Sequence, residues 1–111
     1  MKFKDFETEG GIIVLELSGK IMGGEETTMF HGKLHEYIQA GKRRFVIDLK
    51  SVEWMNSVGL GMLISALTTV KNAKGRLVLA NITNIESILS MTRLISVFEH
   101  FDSQAAALKS F

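Results

Sequence analysis

Two short, nearly continuous apolar runs constrain the fold of this chain more than any other feature of its sequence. The runs are Phe45–Leu49 and Leu77–Ala80. Each has the length of a strand, and the two together contain a single polar residue, which is typical of strands covered on both faces. Between these runs, Leu60, Leu63 and Leu67 recur with the spacing of a helix. Alternation of strands and helices in so short a chain predicts an α/β domain in which helices cover a sheet.

The N-terminal third adds a hairpin and a helix to this prediction. Residue types that favour β-strands lie on both sides of a turn at Glu9–Gly11. The second of these two predicted strands, Ile12–Leu17, is expected to end at Gly19. From about Glu25 the apolar residues recur with the spacing of an amphipathic helix, and Gly41 lies where the left-handed C-terminal cap of this helix belongs.

The remaining residues continue the alternation. We expect a helix over about Val58–Ala73, a short helix around Ile85–Leu89, an edge strand at Val97-Phe98 and a final helix capped by Asp102 or Ser103. The prediction is a single domain over residues 1–111, with a four- to five-stranded mixed sheet and about four helices, packed mainly over one face. Six residues are predicted to be buried: Val46, Ile47, Leu63, Leu67, Val78 and Leu79.

Composition excludes several classes of function. Without cysteine, the chain has no disulfide, thiolate metal site or cysteine nucleophile, which fits a reducing compartment. The formal net charge of +1 gives no electrostatic basis for binding nucleic acid or an anionic membrane. The longest uncharged segment, Trp54–Val70, is shorter than the roughly 20 apolar residues that span a bilayer, and no signal peptide is evident. We therefore expect a cytoplasmic protein without membrane insertion.

The most informative segment is the predicted helix start Asn56–Gly61, which follows a buried strand. Ser57 is in a position to cap the free N–H groups of this helix. Each glycine in the first turns costs up to about 1 kcal/mol relative to alanine, so Gly59 and Gly61 indicate a close approach to the backbone. Two interpretations remain: tight packing of the helix on a strand, or a flat, exposed helix start against which another macromolecule docks.

The sequence Asn56-Ser57-Val58-Gly59-Leu60-Gly61 resembles the Asp-Ser-x-Gly-Leu-Gly signature of the STAS domain of bacterial anti-sigma-factor antagonists. Leu17–Ile21, Lys74–Asn81 and Phe98–Ser103 also resemble segments of that family, so the similarity spans essentially the whole chain. The resemblance implies a protein-binding module, without enzymatic activity or cofactor, in which Ser57 is phosphorylated. The kinase would be a partner that is also an anti-sigma factor. The unphosphorylated protein would bind this partner and free the sigma factor, and a PP2C-type phosphatase would restore it.

Two positions depart from the family pattern. Asn56 stands where the family has aspartate, and Met22-Gly23-Gly24 replaces an acidic residue. Asparagine keeps the acceptor oxygen that caps a helix but lacks the charge that a kinase could recognise. A phosphate on Ser57 is compatible with the fold because a helix N-terminus presents unpaired N–H groups and partial positive charge. Its added charge, about −1.5 to −2, would oppose docking of a partner.

The predicted partner-binding surface surrounds the phosphorylation site, Ser57. An exposed tryptophan or methionine beside this serine would anchor an interface, and Trp54 and Met55 are the candidates. We expect a monomer or a weak dimer. The full predicted set is Met22, Gly23, Gly24, Trp54, Met55, Asn56, Ser57, Val58, Gly59 and Leu60.

Other motifs point to structural roles. His31 and His35, with Glu36 adjacent, have the helical spacing of two metal ligands, but no third ligand is evident. We interpret them as a solvated helix face and expect no metal site. The basic run Lys42–Arg44 precedes a buried strand and lacks an aromatic platform for nucleic acid.

Two alternatives to the anti-sigma-factor antagonist remain open. The first is a STAS subunit of a lipid-transport ABC system, which would dock on the transporter ATPase without phosphorylation. The second is a small-ligand or nucleotide sensor that uses the glycines near the predicted phosphorylation site. The loop that holds Gly19, Gly23 and Gly24 lacks the Gly-Lys-Ser/Thr ending of a phosphate-binding loop.

Overall fold

The computed structural model describes residues 1–111 and contains one five-stranded sheet, four α-helices and a 3-10 turn. The strands lie side by side in chain order; β1 is antiparallel to β2, and every other neighbouring pair is parallel. The predicted α/β class and mixed sheet are confirmed. The elements are β1 (Lys2–Glu7), β2 (Ile13–Ile21), α1 (Glu25–Gln39), β3 (Arg44–Met55), α2 (Ser57–Asn72), β4 (Arg76–Ala80), the 3-10 turn Thr83–Ile85, α3 (Glu86–Met91), β5 (Glu99–Phe101) and α4 (Gln104–Lys109).

Each face of the sheet carries its own apolar cluster. The larger cluster contains 23 buried residues, and α1, α2 and α3 all contribute to it. The smaller cluster has six buried residues and receives Ala107 of α4. Three helices therefore pack on one face, as predicted, whereas α4 covers part of the other. All six residues predicted to be buried are buried. None of the helices combines the length and apolar composition needed to cross a membrane.

The second and third strands are longer than the sequence predicts. β2 continues past Gly19, where φ is 82° and the register with β3 is irregular, and ends at Ile21. β3 does not stop at Leu49 but continues to Met55, which pairs with Ile21. The polar residues in this extension hide its strand character in the sequence. As a result, both strands reach the start of α2.

The last strand lies later in the chain than predicted. The prediction of a strand at Val97-Phe98 is wrong, because these two residues form a turn and a bend before β5, and the Phe98 side chain is buried in the larger cluster. The backbone of Glu99–Phe101 instead pairs with Val78–Ala80. Of the two residues expected to cap α4, Ser103 is the cap, and its Oγ accepts a hydrogen bond from the Ala106 amide at 3.0 Å.

Candidate functional site

The ends of two parallel strands position the start of α2. Ile21 of β2 pairs with Met55 of β3, and the amide of Asn56 donates a hydrogen bond to the Ile21 carbonyl oxygen at 3.2 Å. α2 begins at the next residue, Ser57. The N-terminus of α2 is therefore fixed at the edge of the sheet where the parallel strands end.

Asn56 caps α2. Its backbone is extended, and its side-chain oxygen accepts a hydrogen bond from the Gly59 amide at 3.0 Å. Its carbonyl oxygen accepts the first helical hydrogen bond, from the Leu60 amide. The expectation that Ser57 caps this helix is therefore wrong: Ser57 is the first helical residue, its side chain is exposed, and its hydroxyl forms no hydrogen bond within the chain. The Ser57 hydroxyl is free to react or to contact a partner.

The two glycines of the motif have different surroundings. A Cβ placed on Gly59 would lie 2.5 Å from the carbonyl oxygen of Ile21 and 2.8 Å from its Cγ2. Tight packing of helix on strand therefore explains Gly59. A Cβ on Gly61 would meet no atom within 4 Å, and Gly61 is exposed. Each interpretation of the glycine pair thus fits one of the two residues.

The loop between β2 and α1 contacts the start of α2. Gly23 has a φ of 94°, and a Cβ on it would lie 2.8 Å from Cγ1 of Val58. Gly24, at φ 101°, precedes α1 without a side-chain cap. Both the positive φ and the close contact favour glycine at position 23. The fold therefore brings the predicted loop residues against the predicted helix residues.

The residues predicted to bind a partner divide into exposed and buried groups. Met22, Trp54 and Val58 are 54%, 50% and 55% exposed, and Ser57 is exposed beside them. Met55, by contrast, is 3% exposed, and Gly59 and Leu60 are also buried. Of the two candidates beside Ser57, only Trp54 is therefore exposed, while Met55 belongs to the core. We use the term switch surface for Met22, Gly23, Gly24, Trp54, Asn56, Ser57 and Val58.

A cleft of about 360 Å³ adjoins the switch surface at Trp54. Ile88 and Met91 of α3 line its opposite side, and the Met91 side chain is 84% exposed. The side-chain nitrogen Nδ2 of Asn84 donates a hydrogen bond to the Val52 carbonyl oxygen at 2.8 Å, which ties the turn before α3 to β3. No sequence signal connects α3 with Ser57, because the two segments are far apart in the chain and α3 is too short to show a clear helical period.

The switch surface carries little charge of its own. The first turn of α2 has no acidic residue, and none of the four ion pairs in the structure includes a residue of this surface. The Ser57 and Val58 amides precede the first helical hydrogen bond, so they lie at the open end of the helix. A negative charge on Ser57 would meet these amides and the positive end of the helix dipole.

The remaining candidates lie away from this surface. The His31 ring packs edge-on against Phe30, with centroids 5.9 Å apart, and burial together with the nearby His35 lowers its pKa. No group of three or more histidine, aspartate or glutamate side chains is arranged to hold a metal ion. In the basic run, Lys42 forms an ion pair with Glu7 at 2.7 Å.

Comparison with known proteins identifies the family. The profile of the STAS domain matches residues 4–107, so the chain belongs to the STAS domain family. A relative, the anti-sigma F factor antagonist of Paenibacillus polymyxa, is 23% identical over 106 residues, which cover 94% of this chain and 90% of the relative.

Two solved structures share the fold. The Thermotoga maritima protein TM1081 superposes with a TM-score of 0.84 at 19% identity, covering 97% of this chain and 92% of its own. The phosphorylated form of SpoIIAA, a Bacillus cell fate determinant, has a TM-score of 0.76 at 15% identity, covering 99% of this chain and 100% of its own.

Proposed function

We propose that this STAS-domain protein is an anti-sigma-factor antagonist whose binding is switched by phosphorylation of Ser57. In this proposal, the switch surface binds a cytoplasmic anti-sigma factor that is also a serine kinase, and binding releases the sigma factor for transcription. The name of the Paenibacillus polymyxa relative supports the anti-sigma-factor partner. The observation that carries the proposal is the position of Ser57. It is exposed at the start of α2, with a free hydroxyl and exposed apolar side chains around it.

The exposed side chains of the switch surface supply the binding energy. Met22, Trp54 and Val58 present apolar surface that a partner would remove from water. Trp54 is the natural anchor because tryptophan is enriched among the residues that dominate interface energies. Gly23 and Gly24 lack side chains, so a partner backbone can approach the loop closely.

Phosphorylation changes this surface without changing the fold. The kinase transfers the γ-phosphoryl group of ATP to the Ser57 Oγ; the bond to ADP breaks, an O–P bond forms, and the hydroxyl proton passes to the kinase or to water. The phosphate then lies at the open end of α2, where free amides tolerate it. A docked partner, however, would have to desolvate about −1.5 to −2 added charges, so the complex dissociates. A PP2C-type phosphatase hydrolyses the ester and returns the serine.

Asn56 keeps the unphosphorylated site neutral. Its side-chain oxygen caps the helix by accepting a hydrogen bond from the Gly59 backbone amide, as an aspartate oxygen would. Unlike aspartate, it adds no negative charge beside Ser57. Asn56→Asp should therefore preserve the fold and speed phosphate transfer if the kinase recognises a carboxylate before the serine. Rates of phosphate incorporation, compared with wild type at equal kinase concentration, measure this effect.

The proposal is tested by calorimetric titration of Ser57 variants against the serine-kinase anti-sigma factors of the same genome. Ser57→Asp should weaken binding at least tenfold, which is about 1.4 kcal/mol, because the new charge is poorly paired in the interface. Ser57→Ala should keep the affinity but take up no phosphate from labelled ATP.

Ser65→Asp is the matched control, because Ser65 is exposed on the same helix two turns further along. It should leave binding near the wild-type level. Equal affinities for wild type and Ser57→Asp would contradict the proposal. So would an equal loss in Ser57→Asp and Ser65→Asp, because the effect would then not be local to Ser57.

A further inference from the structure

A second cavity lies on the opposite face of the sheet from α2. Here β1, β2 and β3 place polar residues side by side: Lys4 faces Glu16, which faces Asp48, and in the next row Lys2 faces Ser18. Together with Lys50 and Ser51, these residues line a cavity of about 360 Å³. The cavity lies beyond the apolar cluster that α4 covers.

The two carboxylates of this cavity are held by other groups. Asp48 is 7% exposed and accepts hydrogen bonds from the Lys50 amide at 2.9 Å, the Asn81 side chain at 2.9 Å and the Gln104 side chain at 2.8 Å. The same Gln104 nitrogen donates to Glu16 at 2.8 Å. Gln104, at the start of α4, therefore draws both carboxylates together.

The lysines are left without partners. Lys4 lies directly opposite Glu16 across the strands, a position in which opposite charges usually interact, yet it forms no ion pair. Lys2 and Lys50 also form none. The Ser51 hydroxyl has no hydrogen bond. Three ammonium groups therefore outnumber the two carboxylates of the cavity, and neither these ammonium groups nor the Ser51 hydroxyl has a partner within the chain.

We propose that this cavity binds a small phosphate ester. A phosphate presents three acceptor oxygens, which suits separate cationic donors and a hydroxyl better than the two oxygens of a carboxylate. The second oxygen of Glu16 is available to accept a hydrogen bond from a hydroxyl on the organic part of the ligand. The volume lies near the lower end of the range for small-molecule sites, about 300–1,000 Å³. The site does not involve Ser57, so it goes beyond the proposed phosphorylation switch.

The test is a titration of the ¹⁵N-labelled chain with glycerol 3-phosphate, followed by amide chemical shifts at constant ionic strength. Saturable shifts should be confined to Lys2–Lys4, Glu16–Ser18 and Asp48–Ser51. The double variant Lys2→Gln/Lys4→Gln should weaken binding at least tenfold, because both cations lie on an edge strand and their loss removes charge without removing core. Lys74→Gln/Lys109→Gln is the matched control, with two exposed lysines outside the cavity, and should bind like wild type.

Three further arms define the ligand. Glycerol should give no saturable shift, and succinate should bind at least tenfold more weakly than glycerol 3-phosphate. Vesicles of phosphatidylglycerol in phosphatidylcholine distinguish a lipid phosphate ester from a soluble one. If the cavity binds the lipid headgroup, the vesicles should bind wild type but not Lys2→Gln/Lys4→Gln. Shifts spread over all lysines without saturation would overturn the proposal, as would equal affinities of the two double variants.

Discussion

Replacing Gly59 with alanine tests whether α2 is held against β2 by backbone contact. The added Cβ would lie 2.5 Å from the Ile21 carbonyl oxygen, a backbone atom that cannot rotate away. That oxygen also accepts the hydrogen bond from the Asn56 amide, so pushing it aside weakens a second interaction. The substitution therefore acts on the junction that positions Ser57.

The expected size follows from three contributions. Forced contact in a packed core costs about 1–3 kcal/mol, and the weakened hydrogen bond costs about 1 kcal/mol. Alanine offsets up to about 1 kcal/mol of this because it favours the helix more than glycine does. Gly59→Ala should therefore destabilise the protein by about 1–4 kcal/mol.

Gly61→Ala is the matched control, because the added methyl group meets no atom within 4 Å. It should stabilise the protein by up to about 1 kcal/mol through helix propensity alone. Urea unfolding followed by circular dichroism measures both values, since a shift in midpoint at constant slope reports a change in stability. A Gly59→Ala variant as stable as Gly61→Ala would refute the close contact between α2 and β2.

Two further variants test individual hydrogen bonds. Asn56→Ala should lower the free energy of unfolding by about 1 kcal/mol, because it removes the cap on the Gly59 amide. Ser57→Ala should change the free energy of unfolding by less than about 0.5 kcal/mol. Urea unfolding measures both values, and a larger loss in Ser57→Ala than in Asn56→Ala would show that Ser57 is the cap. Tyr37 donates a hydrogen bond to Asp5, and burial together with this bond raises its pKa to about 12. Because the folded pKa lies above the ordinary value of 10.0, the phenol stabilises the protein fully below pH 10 and loses this effect as the pH rises towards 12. The melting temperature of wild type should therefore fall relative to Tyr37→Phe between pH 9 and pH 12, and a constant difference would contradict this assignment.

The sequence predicts the central elements because their patterns are strong. Phe45–Leu49 is apolar throughout except at Asp48, and the apolar residues of α2 recur with a clear helical period. The extension of β3 to Met55 lacks such a pattern. Its residues alternate poorly, and what makes it a strand is pairing with β2, which is a tertiary effect. The boundary of β3 therefore could not be read from the local sequence.

The candidate site was likewise predictable only in part from the local sequence. The motif predicts that Ser57 lies at a helix start, but it does not determine whether Asn56 or Ser57 is the cap, since both side chains can accept the hydrogen bond. The difference between Gly59 and Gly61 depends on where Ile21 lies, which local spacing does not encode. The position of α4 on the second face was also hidden, because a six-residue helix is too short to show which side is apolar.

The exposure of Trp54 gives this protein a built-in optical reporter. Trp54 is the only tryptophan in the chain, and half of its surface faces water beside Ser57. An indole in water emits at longer wavelength than one in an apolar contact, so its emission should shift to the blue when a partner covers the switch surface. Because no second indole contributes background, docking and release can be followed in unlabelled protein with a partner that lacks tryptophan, in real time as the kinase and phosphatase act.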